Sequence, residues 1–349
     1  MSFKDKVDRA PLALSLDDVL LVPQYSEVKI DEIDVCTNLT KRIKLSLPIV
    51  SSPMDTVTGR AMALRLAELG GLAVLPRNLE IQEAVSIVEC VRERNLPVAA
   101  AVGPFDDDRV KALVEADVTM IVIDSAHGHS RNVISATRKY SDYGVDIMSG
   151  NVVTADGALA LINAGANALR VGIGSGHACT TREVAGVGVP QLTAIATVAD
   201  VARDLGVGVV ADGGIEKPAH VVKALAAGAD AVMLGYLLAG TDEAPGDIYE
   251  IEGRKYKPYR GMGSRGALAA GSTRYGTFKR VPEGVEGYVE YRGPLSQVVD
   301  VLVNSLKQGM GYVGAGNLEE LRKKAVFVRI TELGLRESSP RGFMVTRWL

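Results

Sequence analysis

The chain has 349 residues, 47% of them hydrophobic, 23% charged and 5% aromatic, with a formal net charge of −3. That balance excludes a disordered chain, and it leaves no basic footprint for nucleic acid and no polybasic stretch for an anionic membrane surface. Three scattered cysteines, Cys36, Cys90 and Cys179, form neither a disulfide framework nor a zinc-type CxxC; the N-terminal stretch lacks a signal-peptide core and no apolar run approaches the length of a membrane span, so a soluble cytoplasmic protein is expected.

In chain order, short β-branched or apolar runs recur at residues 48–54, 72–75, 98–102, 120–124, 146–150, 168–173, 207–212 and 231–235. Between them, helical periodicity runs through 81–93, 107–116 and 218–227, so strand and helix alternate. Such alternation predicts a parallel sheet with right-handed crossovers. Most strands begin about 22 to 26 residues after the previous one, a common length for a βα unit, while the step from the sixth to the seventh is nearer 40 and holds an inserted loop. A weak repeat, AGANA at 164–168 and AGADA at 227–231, places Gly at two helix ends just before a strand. Eight even units, with no GxGxxG after the first strand, favour an α/β (β/α)₈ TIM barrel over an open doubly wound sheet. Residues 241–290, rich in Gly, Arg, Lys and Tyr, read as a long flap after strand eight, and apolar periodicity resumes at 295–306 and 318–324. The whole chain, 1–349, is expected to be a single barrel domain with a C-terminal tail from about 326.

Active sites of such barrels lie at the C-terminal ends of the strands. Those ends carry Ser52 and Met54, Asp124 and Ser125, Asn151, the run from Gly172, Asp212 with Gly213 and Gly214, and Gly235. The loop GIGSGHACTTR at 172–182 sets Cys179 among glycines, hydroxyls and Arg182, surroundings that favour a reactive thiolate. His177 lies two residues away on an irregular loop, a spacing that fixes no Cys/His pair. The Asp212-Gly213-Gly214 turn suits a carboxylate on sugar hydroxyls with glycine amides on a phosphate, and Gly235 and residues 259–264 add backbone donors.

These segments resemble the IMP dehydrogenase and GMP reductase family. The likeness rests on LSLDDVLLVPQYSEV at 14–28, SSPMDTVT at 51–58, IDSAHGHS at 123–130, SGNVVT at 149–154, the cysteine loop, GVGVPQLTAI at 186–195, ADGGI at 211–215 and YRGMGS at 259–264, nearly the whole chain. It implies a homotetrameric barrel that binds IMP at the strand-end loops with NAD beside it, Cys179 adding to purine C2 and Thr181 as the hydroxyl next to it. It implies Asp212 as ribose ligand, Gly213, Gly214, Gly235 and Tyr259 toward the phosphate, and Gly261, Met262, Gly263 and Glu283 at the base. Asp124, Ser125, Asn151, Arg170 and Gly172 would line the nicotinamide side. A potassium ion would be held by Gly174, Gly176 and Cys179 carbonyls, completed by Glu337, Ser338 and Ser339 of a neighbouring subunit.

Three departures stand out. Residues 78–97 bridge directly where many dehydrogenases insert paired CBS regulatory modules, so none is expected. His177 and Tyr236 occupy phosphate-contact positions where the family usually has serine. Two activities share the scaffold, and the flap separates them: Arg274-Tyr275 followed by VPEGVEGYVEYRGPL at 281–295 resembles the water-activating pair of dehydrogenases, not reductases. An IMP dehydrogenase is therefore expected; a GMP reductase or a silent nucleotide-binding relative are the alternatives.

Overall fold

The computed structural model describes residues 2–270 and 281–340. Eight strands, β1 (Ile49–Ser51), β2 (Ala73–Leu75), β3 (Val98–Val102), β4 (Met120–Asp124), β5 (Asp146–Val152), β6 (Ala168–Val171), β7 (Gly208–Asp212) and β8 (Ala231–Leu234), form one parallel sheet in sequence order, and β8 returns to pair with β1. The seam between β1 and β2 is closed by Ser51 N–H donating to Leu72 O at 2.9 Å and Leu72 N–H donating to Ile49 O at 3.0 Å. The sheet is thus a barrel rather than an open doubly wound layer, with no strand edge left bare.

Seven strands each feed an outer helix: α1 (Arg60–Glu68), α2 (Ile81–Arg92), α3 (Asp107–Glu115), α4 (Arg131–Ser141), α5 (Ala155–Ile162), α6 (Gln191–Asp204) and α7 (Pro218–Ala226). The single helix α2 carries the chain from β2 to β3. The eighth helix, α8 (Leu295–Val313), packs against α7 and α1 and completes the ring. It runs past the expected end at 306 because its buried stripe continues through Leu302, Leu306, Met310 and Val313, until Gly314 stops it in the left-handed conformation. No described helix is long and apolar enough to cross a membrane.

Side chains of a strand alternate between faces, and here that alternation sorts two cores. Val50, Val74, Ala101, Val122, Met148, Val210 and Met233 fill the barrel, while Ile49, Leu75, Val98, Ile121, Leu169, Val209 and Val232 meet the helices. A hairpin of Thr37–Asn38 and Lys44–Leu45 plugs the N-terminal end with Leu39, Ile43 and Leu45. At the other end the same inward register falls on Asp124, Arg170 and Asp212, so the barrel's mouth is charged where its bottom is oily.

The segment after β8 differs from the expected aperiodic flap. It begins with a short helix, Tyr236–Ala239, and then builds an antiparallel sheet of β9 (Tyr249–Ile251), β10 (Arg254–Arg260) and β11 (Glu286–Glu290). All three residues of β9 are exposed, so no in–out alternation marks it in the sequence. In the tail, Phe327–Arg329 pairs antiparallel with Val19–Leu21, and the helix Glu332–Glu337 packs on the segment Leu16–Asp18.

Candidate active site

The extra residues between β6 and α6 carry the cysteine loop across the C-terminal mouth of the barrel. Gly172 opens it at φ +143°, and a Cβ there would lie 2.1 Å from Asp212 O, so only glycine lets the chain leave β6 this close to β7. Beneath the loop, Gln191 Nε2 donates to Val171 O at 2.7 Å and to Asp212 O at 3.2 Å, and Arg182 Nη2 donates to Val189 O at 2.6 Å. Above it, Val285 N–H donates to Ala178 O at 3.0 Å, and Cys179 pairs with Gly284 as an antiparallel bridge. Backbone on both sides therefore fixes where the thiol stands.

Within that frame Cys179 Sγ donates to Thr181 Oγ1 at 3.2 Å, and Thr181 Oγ1 donates to Glu283 Oε2 at 2.8 Å. Thr181 is the first residue of a short helix, Thr181–Ala185. A thiol, a hydroxyl and a carboxylate in series can pass a proton away from sulfur and leave the nucleophilic thiolate.

Asp212 forms the floor. Its Oδ2 accepts from Asn151 Nδ2 and from Arg170 Nη2, each at 2.7 Å, and Arg170 Nη1 donates to Asp124 Oδ1 at 2.5 Å. Arg170 is 1% exposed and Asp124 2%; the guanidinium bridges Asp124 and Asp212, and its Nε is buried without a hydrogen-bond partner. Asn151 Nδ2 also donates to Gly172 O at 2.8 Å, while its Oδ1 is buried with no partner. An acceptor left bare inside a protein is costly, and a ligand N–H would satisfy it.

At the far end, Gly235 follows β8 where a Cβ would sit 3.0 Å from Met54 Sδ and 3.3 Å from Tyr259 Oη. Burial, reinforced by the charges of Asp212 and Glu216, pushes the Tyr259 hydroxyl far above its ordinary value, so it remains a donor. His177 stacks on Tyr236 with ring centroids 3.9 Å apart.

Of the residues singled out from sequence, Ser52, Met54, Asn151, Gly172, Gly174, Gly176, His177, Cys179, Thr181, Asp212, Gly213, Tyr259, Gly261, Met262, Gly263 and Glu283 line one cleft. Gly214 and Gly235 back onto it, and Ser125 sits beside the lining residue Ala126. Asp124 and Arg170 lie under the floor, and Tyr236 faces an outer groove instead. Glu337, Ser338 and Ser339 belong to the tail, where the hydrogen bonds of the two serines stay within residues 334–339. Arg274 and Tyr275 lie outside the described residues. Gln191, Ser175, Glu216 and Arg292 had drawn no role from sequence, although Gln191 sat in GVGVPQ, Ser175 in the cysteine loop and Arg292 in the segment 281–295; Glu216 lay in no motif.

A parallel barrel whose strand ends gather a relayed cysteine, an anchored carboxylate and glycine turns defines an enzyme-type cleft for a small polar ligand. A family model described as IMP dehydrogenase / GMP reductase domain matches residues 13–341. The inosine-5′-monophosphate dehydrogenase of Aquifex aeolicus is 40% identical over 96% of both chains, that of Methanocaldococcus jannaschii 39% over 99% of this chain and 98% of its own, and that of Cryptosporidium parvum 43% over 93% and 94%. The chain belongs to the IMP dehydrogenase / GMP reductase family. The first two alignments extend over 471 and 486 positions against 349 residues here, so those relatives hold internal residues without a counterpart in this chain.

Proposed function

We propose that this protein is an NAD-dependent IMP dehydrogenase, oxidising IMP to XMP through a covalent bond from Cys179 to purine C2. The observation that carries this is the Cys179–Thr181–Glu283 series set across the cleft mouth from Asp212. In this scheme the thiol proton leaves through Thr181 toward Glu283, and Sγ adds to C2 while a ring nitrogen takes up a proton. Hydride and that proton then depart, leaving sulfur bound to an oxidised C2. Water adds at C2, the C–S bond breaks, and the thiolate is restored as XMP leaves. Asp212, held by Arg170 and Asn151, accepts from the ribose hydroxyls. Tyr259 and the amides of Gly214 and Gly235 donate to the phosphate.

The residues fit a nicotinamide: the bare Asn151 Oδ1 is an acceptor for a carboxamide N–H. Bound NAD supplies the hydride acceptor. Carbonyls of Gly174, Gly176 and Cys179 are a neutral oxygen set of the kind that suits a weakly hydrated monovalent cation such as potassium. The Gly176 carbonyl accepts Cys179 N–H at 3.0 Å and keeps a second lone pair for it. Glu337 ends the tail helix that packs on Leu16–Asp18, with Ser338 and Ser339 just beyond it, and in the proposed tetramer these residues of a neighbouring copy would complete the site. Arg274 and Tyr275 are assigned to activating the water. One assay tests the proposal: reduced-nicotinamide absorbance with IMP plus NAD, and separately with GMP plus NADPH. NADH formation in the first is the expected result; NADPH consumption confined to the second makes the protein a reductase, and silence in both a non-catalytic binder.

A further inference from the structure

Asp55, Asn78 and Arg260 meet behind the cleft, and none of them lines it. Arg260 Nε and Nη2 donate to Asp55 Oδ1 and Oδ2 at 3.1 and 2.6 Å, a two-pronged pair, and Asn78 Nδ2 donates to the same Oδ2 at 2.7 Å. Both members of the pair have cleft residues beside them in the chain: Met54 precedes Asp55, and Gly261, Met262 and Gly263 follow Arg260. Their anchorage is unequal. Asp55 stands on a turn pinned to the barrel, where the Val57 and Thr58 N–H groups donate to Met54 O at 2.9 Å each and Thr58 Oγ1 donates to Ser52 O at 2.7 Å. Asn78 is held as firmly, because the buried Arg109 of α3 donates to Pro76 O at 2.9 Å and to Leu79 O at 2.6 Å, on either side of it. Arg260 instead ends β10, in a sheet whose other strands, β9 and β11, are almost wholly exposed. Asn78 Oδ1 is buried without a partner. Turning the amide round would set that oxygen against the Asp55 carboxylate, so the pair dictates its orientation and an acceptor is left bare.

We propose that the Asp55–Arg260 pair, backed by Asn78, positions the turn Gly261–Met262–Gly263 and with it the purine base. The assignment rests on the nucleotide reading above, in which Met262 and Gly263 face the base, and adds residues that touch no substrate. Gly261 lies against the cysteine loop, where a Cβ would come within 2.6 Å of Ala178 O, and its N–H donates to Val285 O at 2.9 Å. Those contacts join the turn to the loop it serves, and the ion pair joins the turn to the barrel, a fixed support behind residues that must hold a ligand in place. Arg260→Lys keeps the charge but loses the fork that matches both carboxylate oxygens, and Asp55→Asn keeps the shape without the charge. In either case the groups assigned to the sugar phosphate, Asp212 and Gly214, are untouched, and Tyr259 stays seated by its own burial, at 7% exposure. The base is then the part of the nucleotide that loses its place.

Calorimetric binding of IMP and of ribose 5-phosphate, which has no base, tests this without relying on turnover. Arg260→Lys and Asp55→Asn should each weaken IMP about tenfold and leave ribose 5-phosphate within about twofold of wild type, as a displaced positioning group does. The double variant should lose no more than either single one, because both break the same link. Asn78→Ser leaves the ion pair whole and is a milder cut for use if the charge variants do not fold; it should weaken IMP about threefold, again without touching ribose 5-phosphate. Equal losses of IMP and ribose 5-phosphate, IMP binding unchanged in the single variants, or losses that multiply in the double variant would each overturn the proposal. The expected pattern of binding in a protein that forms no NADH would sink the dehydrogenase reading and uphold the positioning role.

Discussion

At Cys179, chemistry and placement are divided among different residues. In the proposed mechanism Thr181 and Glu283 would take the proton, while backbone pairing to residues 284–285 and the props from Gln191 and Arg182 set the position. Cys179→Ala should therefore leave nucleotide binding intact, and abolish NADH formation and covalent trapping of the nucleotide. Turnover within about tenfold of wild type would remove the residue from its role. Arg170 makes a different kind of contribution. It is a buried cation between two carboxylates, and deleting one partner of such a set costs about 3–5 kcal/mol because the other charges stay behind. Arg170→Met is expected to lower the denaturant midpoint accordingly and to raise KM for IMP by releasing Asp212. An unchanged midpoint would mean that the pair does not hold the floor. The sequence already carried this feature in plain view, as an arginine inside the apolar run ALRV and an aspartate closing MIVID. What it did not carry was the partnership, since strand register decides which inward positions meet. Tyr236 was harder still: its stacking partner comes from another loop, and no local pattern links them.

Elements were legible where periodicity was strong. The eight strands lie within a few residues of their expected bounds because each is an apolar run closed by Gly, Asp, Asn, Ser or Pro, whereas β9 to β11 were missed because Tyr249–Ile251 and most of Glu286–Glu290 are exposed and one buried position of Arg254–Arg260 is a lysine, Lys257, so no apolar alternation marks them. In sequence, Arg274 falls between the end of β10 at Arg260 and the start of β11 at Glu286, outside the described residues. Arg274→Ala is expected to leave the first burst of NADH near normal in stopped flow and to slow the steady state by about 10²–10⁴, the worth of base catalysis. A burst that falls together with the steady state would place Arg274 in binding instead. The junction of α7 with the N-terminal segment adds a pH dependence. His220, 2% exposed, accepts Glu216 N–H on Nδ1 at 3.2 Å, and its Nε2 lies 2.9 Å from Asp17 Oδ1. Burial pulls this imidazole below its ordinary value, more than Asp17 raises it. The folded state thus prefers neutral His220, so its stabilisation is present above about pH 6.5 and is lost as pH falls below that through the folded value. Between pH 7 and 5 the Tm should fall further than that of His220→Gln, which takes up no proton. Parallel curves for the two proteins would contradict this.

For the whole molecule, the proposed cation site would split its donors between the cysteine loop and a neighbouring copy's tail, and so would tie activity to assembly. Light scattering is expected to report a tetramer, and Glu337→Ala to raise the potassium concentration needed for half-maximal rate without dissociating it. A fully active monomer, or a rate indifferent to potassium, would break that link. Large apolar side chains left exposed on the single chain, among them Tyr25, Val187, Tyr312 and Leu333, are surface that such an assembly would cover. The short antiparallel pairing of Val19–Leu21 with Phe327–Arg329 has a consequence of its own. It brings the segment entering the barrel and the segment leaving it side by side, so the polypeptide is close to a loop as well as the sheet. In topological terms the starting point of the chain is nearly arbitrary: bridging those two segments with a linker and opening the backbone at the exposed turn around Gly144, where φ is +74° and nothing crowds the residue, would permute the order of the units while leaving every strand its neighbours.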